Sequence, residues 1–331
     1  AVGPGGGIDN YDEMGLNLSR YGTLGTGRGD EPSARTGALY PALLAASRAA
    51  GPKAPLLVQA ALSCAAIALA GGLAALLWSP LAGVLAASLV AVHPSLIASA
   101  GRYEVESFYG FLLLAAAWSV AFWLRRPSRG RAVFAGLCVG LSLTCRSVLF
   151  LFPIVLGAAL WARARTTPGA RRHVPAFLLA SYVLLLPWVA RNAYHFRDFI
   201  PFERGLIADT FSTASLGLTE FPHERGSMDR LAADWGCAEP GRTDCLVRGA
   251  WARVAAEPGR YLASCAARLK HAVGLHPWLV AAALLPLALV RGDPALLSLG
   301  LLCAYFLAVY APFALVTRFF DPLLACLLVL D

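Results

Sequence analysis

Charge is what this sequence has least of. Asp, Glu, Lys and Arg together make up 15% of its 331 residues, against 58% hydrophobic ones. A soluble globular domain carries about 25% charged residues, so an ordinary soluble enzyme is excluded. Zinc-type paired C-x-x-C spacing is also missing, although there are eight cysteines. So are a G-K-[ST] ending to the Gly-rich stretch GTGRG and any internal repeat, which removes a phosphate loop and a solenoid from consideration. The scarce charge is unevenly placed. Residues 56–78 and 81–100 contain none, and each run is long enough to cross a hydrocarbon core about 30 Å thick. The expected fold class is an all-α polytopic membrane protein.

The net charge of +8 could suggest a nucleic-acid partner. The basic residues instead concentrate in two hinges between apolar runs, Arg125, Arg126, Arg129 and Arg131 in one, and Arg163, Arg165, Arg171 and Arg172 in the other. That is the pattern of cytoplasmic loops, not of a basic face interleaved with aromatic stacking partners, so no nucleic acid is expected. Cys64, Cys138, Cys145, Cys303 and Cys326 lie in apolar runs and read as small buried hydrophobes. Cys237 and Cys245 flank a polar AEPGRTD segment, where a disulfide would follow if that loop faces an oxidising compartment.

Four regions follow: an outer first loop with juxtamembrane helices (1–56), transmembrane helices (57–190), a long outer loop (191–276) and C-terminal transmembrane helices (277–331). The spans expected are 57–77, 81–98, 107–124, 132–145, 147–162, 174–190, 277–290, 294–312 and one starting at 322. A short helix is expected near 11–20. If both Arg-rich hinges are cytoplasmic, residues 132–162 must cross an even number of times. As helix they reach only about 46 Å, so two short helices should meet near Arg146 at a turn sheltered by protein. Residues 1–55, 99–106, 191–275 and 313–321 then share the outer side. The chain opens AVGPGGG and ends within an apolar run, and it is read as part of a longer protein.

On that side collect Asp9 with Tyr11, Arg35 before ALYP, Arg102, Glu104 and Glu106, Arg146, Arg191 and Arg318. Ionisable groups at membrane depth mark functional cavities. Arg forks bind phosphate, and a carboxylate can take a proton from an attacking hydroxyl. Each residue also has a plain reading: an Arg at a span end snorkels, Glu104 and Glu106 cap a helix, and Asp9 and Asp12 are solvated loop acids.

The motif order resembles the GT-C superfamily of polyprenyl-phosphate-sugar-dependent glycosyltransferases, especially the bacterial branch related to protein mannosyltransferases and lipid A aminoarabinose transferases. The resemblance is carried by IDNYDEMGLNLSRYGTL, ARTGALYPALLAA, HPSLIASAGRYEVESFYGFLLL, GLCVGLSLTCRSVLFLFP, LLLPWVARNAYHFRDFIPF and TRFFDPLL. It implies a GT-C-like helix bundle and an inverting transfer from a polyprenyl-phosphate-linked sugar to a lipid, protein or glycan acceptor. The location implied is the outer side of the bacterial inner membrane, among membrane lipids. It casts Asp9 as general base and Glu106 as the second acid. Tyr11, Arg35, Tyr40, Glu104, Arg146, Arg191, Asn192 and Arg318 become substrate-binding residues, with Arg35 and Arg191 near the lipid phosphate. Two departures stand out: Thr36-Gly37 replaces the family's Pro after Arg35, and Glu104 competes with Glu106. No metal is assigned, because some relatives need none; a divalent ion at His195 or His223 stays open. The competing reading is a multi-pass transporter or lipid flippase, with a non-catalytic scaffold and a lipid-phosphate hydrolase behind it.

Overall fold

The computed structural model describes residues 11–25, 31–163, 168–222, 224, 226–238, 241–289 and 292–330. Among these residues the chain is helical throughout, and its β-type pairing is one isolated bridge between Glu220 and Leu315.

The first two helices, α1 (Tyr11–Tyr21) and α2 (Leu39–Arg48), pack on each other. Asp12, in the first turn of α1, pairs with Arg48, in the last turn of α2. Each charge sits at the helix end whose dipole favours it, so Asp12 is no free loop acid. Next comes α3 (Ala54–Leu77), uncharged and about 36 Å long at 1.5 Å per residue. Ser79 caps α4 (Pro80–Val92), accepting from the Ala82 N–H at 3.2 Å. Pro94, which has no N–H to continue the ladder, starts α5 (Pro94–Ala100) at a 61° bend. The expected span 81–98 is therefore broken.

The helix α6 (Val105–Arg125) is the hub, packed against α3 and three later helices. The first of these, α7 (Arg129–Cys145), stops just before Arg146. A 3-10 turn (Ser147–Leu149) and α8 (Phe152–Ala162) follow, so the expected 147–162 span begins with a tight turn. The two short segments meet at Arg146, which is buried, as the length argument requires. After α9 (Pro168–Arg171) come α10 (Val174–Val183) and α11 (Leu186–Phe196), bent by 40° at the break between them, with Pro187 in the first turn of α11. Helix α11 runs past residue 190, where the expected span stopped. Gly136 and Gly140, four apart on α7, let it lie on the α10 backbone. A Cβ on Gly136 would sit 2.4 Å from the Phe177 carbonyl oxygen, and one on Gly140 2.7 Å from that of Ser181. Small residues at four-residue spacing are how helices approach closely in lipid, where apolar burial adds no drive.

The polar stretch folds into α12 (Gly205–Ser215), α13 (Ser227–Asp234), α14 (Arg242–Ala256) and α15 (Pro258–Leu275). Cys237 and Cys245 are joined in a disulfide. The chain closes with α16 (Pro277–Leu289), α17 (Pro294–Tyr310), a 3-10 turn (Thr317–Phe320) and α18 (Asp321–Leu330). Residues Pro322–Leu330 are all buried, so α18 is a core helix against α6. Among the in-run cysteines, Cys145, Cys303 and Cys326 are buried as expected, Cys138 is half-buried and Cys64 is exposed.

Two helices, α3 and α6, are long and apolar enough to cross a membrane, and the bent pairs α4–α5 and α10–α11 raise the number to four. The other apolar helices are shorter. The relative sides of the loops follow from contacts at the two ends of α6. At its C-terminal end Arg125 pairs with Asp293 at 2.6 Å, and at its N-terminal end Glu104 pairs with Arg318 at 3.2 Å. The hinge at 125 and the loop before α17 thus share one end; residues 104 and 318 share the other.

Candidate functional site

The N-terminal end of α6 holds a cluster of two carboxylates and two guanidinium groups. Glu106, in the first turn, has a side chain with 0% exposure, and that of Arg146 is 3% exposed. Arg146 Nη2 and Arg318 Nε each lie 3.5 Å from Glu106 Oε1. Arg318 Nη1 also reaches Glu104, and Arg102, largely exposed, stands 3.9 Å from Glu104 on its outer side. The Phe319 ring lies 4.2 Å from the Arg146 guanidinium carbon, a cation–π contact. Three elements converge here: the start of α6, the break after α7, and the 3-10 turn before α18. Burying ions costs several kcal/mol each unless they are paired; opposite charges at these distances supply the pairing.

Two cavities flank the cluster. One, of about 220 Å³, is apolar and aromatic, lined by Phe150, Phe202, Phe313 and Phe319, with Arg146 and Glu203 as its charged groups. The other, of about 230 Å³, lies between α3, α5, α6 and α18 and is lined by Glu106 and Asp321.

Of the sequence-derived site residues, Glu104, Glu106, Arg146 and Arg318 come together. Asp9 lies outside the described residues, as does His223. Tyr11 and Tyr40 are buried, their rings 5.2 Å apart and edge to face. Tyr40 donates its hydroxyl to Gln59 Oε1 at 2.7 Å; burial, reinforced by Glu106, pushes its phenol pKa up, so it remains a donor. Gln59 in turn donates to the Ser99 carbonyl oxygen at 3.0 Å.

Arg35 and Arg191 belong to a second constellation around residues 33–37. Arg35 pairs with Asp209 on α12 at 2.7 Å. Arg191 donates to the carbonyl oxygens of Ser33 at 2.9 Å and Leu24 at 3.1 Å, and to Asn192 Oδ1 at 2.8 Å, while packing on Trp188. Asn192, fully buried, donates to the Ile200 carbonyl oxygen. In this arrangement Arg191 and Asn192 fasten the 33–35 segment and the exit of α11 together. Gly37 has a steric reason. A Cβ on Gly37 would stand 2.3 Å from the Cys145 carbonyl oxygen, so only glycine lets this segment lie against the end of α7, one residue from Arg146.

Sequence reasoning missed Glu203, Asp209 and Asp321. Glu203 is buried and accepts from both the backbone N–H and the hydroxyl of Ser147. Burial, opposed by Arg35, raises the Asp209 pKa. Asp321 stood in the TRFFDP motif without a role; it accepts from the Ser99 hydroxyl at 2.9 Å. Among the described residues, no three His, Cys, Asp or Glu side chains converge as metal ligands, and His195 packs against Tyr194 and Phe196. No family model, curated protein or solved structure matches the chain.

Proposed function

We propose that the protein is an inverting glycosyltransferase of the GT-C type. It moves a sugar from a polyprenyl-phosphate donor to a lipid, protein or glycan acceptor at the outer face of the bacterial inner membrane. The observation that carries this reading is the buried Glu106–Arg146 pair, joined by the half-buried Arg318, beside an aromatic cavity headed by Arg146. An isoprenoid chain fits apolar walls, and a guanidinium at the head suits its phosphate.

In this reading Asp9 takes the proton of the acceptor hydroxyl or amine as that atom bonds to the anomeric carbon. The bond from the anomeric carbon to the phosphate oxygen breaks with inversion. Polyprenyl phosphate leaves carrying the electron pair, its charge met by Arg146. Glu106 keeps Arg146 and Arg318 in place and limits their motion. A preorganised donor of this kind contributes about 3–4 kcal/mol by analogy with oxyanion donors. Arg35 and Arg191 act here mainly as fasteners of the segment that carries them, a revision of the direct phosphate contact implied by the resemblance.

The transporter reading draws on a different observation, the two bent helix pairs α4–α5 and α10–α11, since broken helices build transporter sites. It leaves unexplained a charge cluster at the end of α6 instead of its middle.

The test uses membrane vesicles containing the full-length protein and a panel of polyprenyl-phosphate sugars, with free polyprenyl phosphate followed by mass spectrometry. Sugar-dependent release that is lost in a folded Asp9→Asn variant supports the reading. Movement of substrate between leaflets without release supports the transporter instead.

A further inference from the structure

Helix α15 is inside-out for a helix in a polar stretch. Arg268 is fully buried and donates to the carbonyl oxygens of Ala311 at 2.7 Å and Leu218 at 2.9 Å. Leu262, Ala266 and Leu269, which share one face by their four- and three-residue spacing, are all exposed. So is Trp278, at the start of α16. Residues 248–275 also carry Arg248, Arg253, Arg260, Arg268 and Lys270 against one acid, Glu257.

The depth at which α15 ends follows from its neighbours. Arg125 donates to the Leu77 carbonyl oxygen at 3.1 Å, so α4 starts at the Arg125 end of α6. The Ser99 hydroxyl bonds Asp321, which follows the turn carrying Arg318, so α5 finishes at the Glu104 end. His93, at the bend between α4 and α5, thus lies one seven-residue helix in from the Glu104 end. The His276 ring meets the His93 ring edge to face at 6.2 Å, which puts the junction of α15 and α16 at the same depth. Helix α16 runs back toward the Arg125 end, where Asp293 pairs with Arg125. Its 13 residues cover only about 20 Å. A hydrocarbon core is about 30 Å thick, so the remaining length of about 10 Å falls to the last two turns of α15, residues 269–275.

We propose that α15 is seated at the boundary between acyl chains and headgroups, in the leaflet at the Glu104 end of α6. Its Leu262–Ala266–Leu269 face lies on phospholipid acyl chains, and Lys270, exposed beside that face, reaches the phosphates by snorkelling. A basic segment with an apolar face is what such a boundary holds. This assignment does not depend on the glycosyltransferase reading. Arg268 also donates to the Ala214 carbonyl oxygen at 3.4 Å, so α15 is fastened to the ends of both α12 and α17. Both helices line the aromatic cavity, and the seat therefore holds that cavity at the level of the bilayer surface, open to lipid arriving sideways.

The experiment uses the full-length protein in nanodiscs and two phosphatidylcholine probes, one with a diazirine at the end of an acyl chain and one with it in the headgroup. After irradiation the labelled peptides are mapped, with the exposed Leu81, Val84 and Leu85 of α4 as the internal control for chain labelling. The chain probe is expected to label the Leu262–Leu269 face and Trp278, and the headgroup probe to label around Lys270. In Leu262→Gln/Leu269→Gln, chain labelling of 262–273 should fall about tenfold, equivalent to about 1.4 kcal/mol. Both side chains are exposed, so its unfolding should match wild type. Wild-type protein labelled on α4 but by neither probe on 262–278 overturns the proposal: that face would then lie in water or under another protein. Equal chain labelling of the double variant and wild type overturns it as well.

Discussion

Ser147 gives both its backbone N–H, at 3.1 Å, and its hydroxyl, at 2.7 Å, to the carboxylate of Glu203. A residue of the polar stretch is thereby tied to the helix break beside Arg146. Both partners are buried, so removing the carboxylate takes the protein acceptor away from both Ser147 groups. Glu203→Ala should destabilise the protein by about 2–3 kcal/mol, the range for hydrogen bonds to charged groups with an unsatisfied partner left behind. Glu203→Gln should cost less, because an amide oxygen still accepts. Thermal unfolding in detergent checks the order; equal stability of Glu203→Ala and wild type would refute it.

The Arg35–Asp209 pair links the first segment to α12. Because burial raises the folded-state pKa of Asp209, the stability this group contributes is present below the ordinary Asp range and is lost as pH rises through the folded value. Wild-type protein should therefore lose stability over a window just above the usual Asp pKa, and Asp209→Asn should show a flatter profile there. Arg35→Ala removes the opposing charge, moving the window upward and costing on the order of 2 kcal/mol near neutral pH, between exposed and fully buried pairs. Unfolding measured across the acid range distinguishes the three proteins.

Gly37→Ala places a methyl group against the Cys145 carbonyl, where backbone cannot give way cheaply. The variant is expected to fold with the 33–37 segment displaced from α7. Hydrogen exchange at residues 34–38 and 144–147 should rise together. Unchanged exchange at both would show that the contact is not needed to seat Arg146.

The disulfide closes the connection between α13 and α14 around a small cluster of Ala232, Cys237 and Leu246. In a chain-entropy account a loop of this length stabilises by roughly 2–3 kcal/mol. Cys237→Ser/Cys245→Ser, or reduction, should expose residues 227–246 to limited proteolysis. The helices α3 and α6 should stay intact, since their cores lie elsewhere. Loss of the whole fold on reduction would contradict this local role.

Much of the frame is legible because long uncharged runs dictate it. The uncharged run that becomes α3 and the run that becomes α6 can be read by eye. The break at Arg146 follows from a segment too short for two crossings. Both bends were missed although Pro94 and Pro187 stand inside the expected spans, since hydropathy averages over a proline that ends a hydrogen-bond ladder. The Glu104–Glu106–Arg146–Arg318 grouping was reachable from shared sidedness. Glu203 and Asp209 were not, because they sit in a stretch rich in charge with no apolar period. Their partners, Ser147 and Arg35, are remote in sequence, and only the folded chain reveals those pairs. Cys64 was misjudged for another reason: an apolar run in a membrane helix can face outward, so apolar neighbours do not imply burial.

The most direct test of the central claim is the release of polyprenyl phosphate by Glu106→Gln. The amide keeps the shape of the side chain and removes the charge that holds Arg146 and Arg318. Measured beside wild type in the same vesicles, with unfolding checked in parallel, the folded variant should lose activity by about 10²–10³-fold, the scale set by removing one preorganised electrostatic contact. A stably folded Glu106→Gln that releases polyprenyl phosphate at the wild-type rate would contradict the account.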